Sequence, residues 1–91
     1  MATEILAIGT DAANSSPVTV TADGLTVALK DAAGPRVNTR ARVEIQIQDD
    51  AGEYFTVETL NGGSRAALFI AAPGIYRFSR SAGASCGVFS A

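Results

Sequence analysis

The chain has 91 residues, nine acidic and seven basic, with a formal net charge of −2 and no histidine. That length is one domain. The acidic balance excludes the basic stripe of a nucleic-acid-binding protein, a single Cys excludes an internal disulfide, and the lack of His removes the commonest transition-metal ligand.

Hydrophobic residues make up 47% of the chain, but seventeen of them are Ala, and only twenty-four are Val, Ile, Leu, Phe or Tyr. A core this small predicts a subunit that gains stability from neighbours, since small domains otherwise rely on disulfides or metals. MATEILAIGT carries no basic residue and too short an apolar run for a secretory leader. No run approaches the roughly 20 apolar residues of a membrane-spanning helix. Assembly in a reducing cytoplasm, away from membranes, is the expectation.

Residues 3–8, TEILAI, read as a strand with apolar side chains on both faces. Residues 9–16 read as a loop, and 1–16 together as an N-terminal arm or edge strand. Pro17 opens a strand over 18–21, and Asp23-Gly24 marks a hairpin turn. Leu25, Val27 and Leu29 then alternate with Thr26 and Ala28 in a third strand. Residues 30–39 hold Asp31, Gly34, Pro35 and Asn38, so they read as a long loop, either a crossover between sheets or a contact loop.

The clearest signal is RARVEIQIQDDAGEYFTVETL at 40–60. Val43, Ile45 and Ile47 alternate with Arg42, Glu44, Gln46 and Gln48. After Asp49-Asp50-Ala51-Gly52, Phe55 and Val57 alternate with Thr56 and Glu58. Period two puts one set on each face, giving an antiparallel hairpin packed on one side and wet on the other. Asn61 to Ser64 is a turn. Residues 65–71 form a strand with Leu68 and Ile70 on one face and Phe69 on the other, so it is central and doubly covered, or one face meets another chain. Ala72-Pro73-Gly74 turns into a strand at 75–80 with Tyr76 and Phe78 opposite Arg77 and Ser79, and a last strand spans 85–89. About eight short antiparallel strands in one all-β domain, 1–91, predict a β-sandwich or small barrel, jelly-roll-like topologies included.

Catalytic patterns are poor. Asp49 to Glu53 lacks EF-hand spacing, Cys86 has no His to act as its base, and Glu44 and Glu58 sit on faces read as solvated. Gly62-Gly63-Ser64 lacks the Lys and the following helix of a phosphate loop. No cofactor, metal site or enzymatic activity is expected. Six Arg against one Lys is the remaining polar feature. Arg is favoured at protein interfaces; ordinary solvated charge with Glu44 and Glu58 as cross-strand partners accounts for it equally well. Arg40 and Arg42 are read as sharing a face, with Arg77 on the polar side of its own strand. The candidate partner contacts are Ile5, Leu6, Ile8, Arg36, Arg40, Arg42, Phe69 and Arg77.

The order of Asp49 to Tyr54, Ala72 to Arg77 and the Gly87-Val88-Phe89 ending resembles small all-β virion proteins of tailed bacteriophages, the decoration or cement proteins of the capsid. The resemblance covers roughly residues 40–91. It implies a non-enzymatic structural protein at the virion capsid surface. The implied partners are the major capsid protein and copies of the chain itself, a trimer being expected. A tail or baseplate component of similar fold is the alternative. A carbohydrate-binding module fits less well, because such sites present aromatic rings and the chain has no Trp and two Tyr.

Overall fold

A computed structural model describes residues 3–31 and 37–90. Within them nine strands and no helix are present: β1 (Thr3–Gly9), β2 (Ala13–Asn14), β3 (Val18–Val20), β4 (Leu25–Lys30), β5 (Arg42–Gln48), β6 (Tyr54–Asn61), β7 (Ala67–Ile70), β8 (Gly74–Arg80) and β9 (Cys86–Ser90). They form two antiparallel sheets. The first has the order β1-β9-β4-β7; the second runs β2-β8-β5-β6, with β3 also on β8. Both sheets have open edges, so the molecule is a β-sandwich and not a closed barrel.

Alternation selects the core. Val43 and Ile45 of β5, Tyr76 and Phe78 of β8, Val27 and Leu29 of β4, Val88 of β9 and Leu60 of β6 face inward and are buried. Ala41 and Cys86 fill small spaces among them. The loop after β4 joins the first sheet to the second, as the crossover reading anticipates.

Three elements differ from the sequence reading. The Thr21–Gly24 turn forms, with Gly24 N–H donating to the Thr21 carbonyl and Gly24 at φ 79°. It does not close a hairpin, because β3 pairs with β8 in one sheet and β4 with β7 and β9 in the other. The turn carries the chain from sheet to sheet. Secondly, the 9–16 loop contains β2, and β2 and β3 are one interrupted edge strand along β8. Ser15 bridges the gap. Its N–H donates to the Phe78 carbonyl at 2.8 Å, and its hydroxyl accepts from the Phe78 N–H at 2.9 Å. Thirdly, of the two readings of β7 the central, doubly covered one fails: β7 is an edge strand, and its Phe69 face is uncovered within the chain.

β1 follows β9 through two register shifts, near Ile5 and between Leu6 and Gly9. These bulges bend it over Gly87, where a Cβ would lie 2.6 Å from the Leu6 carbonyl oxygen. Gly is required there by the close approach of two backbones.

Candidate contact surfaces

The outer face of the β8-β5-β6 sheet carries an ordered polar array. Arg42, Glu44 and Gln46 alternate outward along β5, beside Thr56 and Tyr54 of β6 and Arg77 of β8. Thr56 Oγ1 donates to Glu44 Oε1 at 2.9 Å, and Gln46 Nε2 lies 3.3 Å from both atoms. Arg77 Nε donates to Gln46 Oε1 at 2.6 Å, and its guanidinium sits 4.3 Å from the Tyr54 ring centroid. That stacking is worth about 0.5–1 kcal/mol at an exposed site. Arg42 and Glu44 form an ion pair at 3.6 Å. Arg42 and Arg77 therefore do share a sheet face, and both are engaged within the chain. Arg77 covers one face of the Tyr54 ring.

The remaining candidate residues are dispersed. Arg40 is exposed in the turn closed by Ala41 N–H on the Asn38 carbonyl, so it precedes β5 and period-two spacing does not put it on one strand face with Arg42. Arg36 lies outside the described residues. Leu6 is buried in the core, where its inward position opposite Val88 withdraws it from any partner. Ile5 is half-buried beside a groove of about 400 Å³ at the seam between β1 and β3, lined also by Pro17, Val18 and Leu25. Ile8 is 38% exposed and Phe69 is 58% exposed. Phe69 lies on the outer face of the β1-β9-β4-β7 sheet, opposite Thr26.

Two features escaped the sequence reading. Phe55 has the inward register expected of it but not the burial, and Val57 falls at a break in the alternation: Glu58, not Val57, stands level with the inward Ile45. Phe55 pairs with Ile47, whose side chain packs on the core, yet Phe55 is 52% and Val57 55% exposed. Neither residue belongs to the buried cluster, which β6 enters through Leu60. A register shift at Ile45/Gln46 leaves Val57 as the additional residue of a bulge.

The second feature is Arg80. It follows Tyr76 and Phe78 on the inward face of β8 and is buried. Its fork donates to the carbonyls of Ala7 (2.7 Å), Asp11 (2.7 Å) and Cys86 (2.9 Å). These acceptors belong to β1, the following loop and β9, so a residue of one sheet ties down the edge of the other. Period-two spacing from Phe78 was the signal that separates Arg80 from the surface arginines. Cys86 beside it is buried, and desolvation pushes its thiol pKa up, only partly offset by the nearby Arg80 charge. A raised thiol is a poor nucleophile.

No family model, curated protein or solved structure matches this chain.

Proposed function

We propose that this chain is a non-enzymatic structural protein of a phage particle, a decoration module that binds the capsid surface as a small homo-oligomer and bridges neighbouring capsid subunits. The observation that carries the reading is the exposure of large apolar side chains on several sides of so small a sandwich: Ile8, Phe55, Val57, Phe69 and Ile75. Exposed apolar surface of this kind marks contact with other chains. The polar array on the second sheet supports it, because its groups are already satisfied within the chain and present a pre-ordered, rigid face. The resemblance of residues 40–91 to capsid decoration proteins supplies the partner.

Binding only the assembled shell stabilises that state by mass action. Many copies allow modest affinity per contact, because linked sites raise effective concentration. The purified protein is expected to co-sediment with expanded shells and not with unexpanded ones. Failure to co-sediment with either removes the proposal.

A further inference from the structure

We propose that Asn61 is a self-modifying site: the Gly62 backbone nitrogen attacks its side-chain amide, and the folded chain converts there to aspartate or isoaspartate. This inference is independent of the capsid reading. Asn61 ends β6 and Gly62 follows it. Asn is a thermolabile residue, and a following Gly presents a backbone nitrogen unscreened by any side chain. The turn prepares the electrophile. Asn61 Oδ1 accepts from Gly63 N–H at 3.1 Å, Ser64 N–H at 2.7 Å and the Ser64 hydroxyl at 2.9 Å. Three donors on one amide oxygen polarise its carbonyl, and they are already in place for the oxyanion that forms when Cγ is attacked. No described residue accepts from Asn61 Nδ2, so the leaving group is unrestrained.

The nucleophile is the part that the fold restrains. Gly62 N–H donates to the Ala41 carbonyl at 3.0 Å, and it must lose its proton to attack. Ala41 is buried, so hydroxide reaches this bond only when the turn opens. Both residues lie just beyond Arg42 and Asn61, the last rung of the β5–β6 ladder, where opening costs least. Once the bond opens, hydroxide takes the Gly62 proton and the nitrogen bonds to Asn61 Cγ. The Cγ–Nδ2 bond breaks, and ammonia leaves with a proton from water. Water then opens the cyclic imide at either carbonyl, giving aspartate or isoaspartate. The sum is amide plus water to carboxylate plus ammonia, with nothing oxidised or reduced. The two products differ in fit. Aspartate keeps an oxygen where the three donors point, and a carboxylate accepts from them more strongly than an amide does. Isoaspartate lengthens the backbone beside Gly62, where even a Cβ would run into the Asn38 carbonyl oxygen. Conversion to aspartate therefore leaves the fold standing and sets a new negative charge beside Arg65, which bridges Asn61.

The test incubates the full chain at neutral and mildly alkaline pH, folded in buffer and unfolded in urea. Each asparagine is followed by peptide mass mapping, with enzymatic methylation to report isoaspartate. In the folded chain, conversion is expected at Asn61 and not at Asn14 or Asn38, which precede Ser15 and Thr39. Its rate is expected to rise with hydroxide concentration and to lie about tenfold to a hundredfold below the rate in urea, since a gate must open first. Asn61→Asp is expected to keep native β-sheet circular dichroism and at least wild-type stability in denaturant unfolding, whereas the isoaspartate form, separated by ion exchange, is expected to be less stable. A folded chain whose Asn61 stays intact for more than about a hundred unfolded half-times overturns the inference. So does folded conversion as fast as that in urea, conversion at Asn14 or Asn38 ahead of Asn61, or an Asn61→Asp chain that loses the fold.

Discussion

Arg80 stands where alternation along β8 calls for an apolar residue, one step past Tyr76 and Phe78 on the inward face. Its charge is compensated by three carbonyls that accept from its guanidinium. Hydrogen bonds to a charged group contribute about 1.5–3 kcal/mol each, and orphaned buried carbonyls add their own cost. Removing the buried charge returns part of that. Arg80→Met is therefore expected to lose several kcal/mol in urea unfolding, and Arg80→Lys to recover only a part, because an ammonium lacks the planar fork. Equal stability of wild type and Arg80→Met contradicts the role. Cys86 beside it offers a pH test. Its folded-state pKa is raised by burial, so the native state holds its proton longer than the unfolded chain does. The stability this contributes is complete below the ordinary thiol range and is lost as pH rises through the raised folded value. Wild type is expected to lose stability more steeply than Cys86→Ala in that alkaline window. Parallel profiles contradict the assignment.

Ser15 shows how an element is completed by one side chain. Ser16 and Pro17 interrupt the edge strand between β2 and β3, and the Ser15 hydroxyl takes the Phe78 N–H at the break. Ser15→Ala leaves that buried donor without an acceptor, and the expected cost is about 1–3 kcal/mol in denaturant unfolding. A loss below a few tenths of a kcal/mol would show that another group or water replaces it. Strand positions were readable from period two almost throughout: β1, β4, β5, β6 and β8 lie within a residue or two of their expected spans. Pairing was less readable. The Asp23-Gly24 signal describes the local backbone, and the same turn serves a hairpin or a step between sheets. Only the inward residues on either side, Val20 against β8 and Leu25 against β7, decide which. The position of β7 stayed open in the sequence, because apolar residues on both faces describe equally a doubly covered central strand and an edge strand with one face exposed.

For the molecule as a whole, fold class was legible because evenly spaced turns and alternating strands leave no room for a helix. Burial of the second hairpin arm was not legible. Phe55 and Val57 carry the pattern of a packed face, and nothing in their spacing records the register shift at Ile45/Gln46 or their exposure. The candidate contacts divided for the same reason. Leu6 and Ile8 belong to one strand, but bulges in β1 turn the first into the core and leave the second partly open. What results is a sandwich with a well-enclosed centre around Phe78, Ile45 and Val43, and apolar side chains exposed at Phe55 and Val57. The proposed oligomer would link stability to association, since a partner that binds only the folded chain raises its melting temperature by mass action.

The most direct measurement is thermal unfolding of the wild-type chain over a wide range of protein concentration, with the native mass determined at each. The melting temperature is expected to climb with concentration, in step with the appearance of a species of a small multiple of the chain mass. A wild-type chain that sediments as a monomer and melts at one temperature throughout would contradict the account.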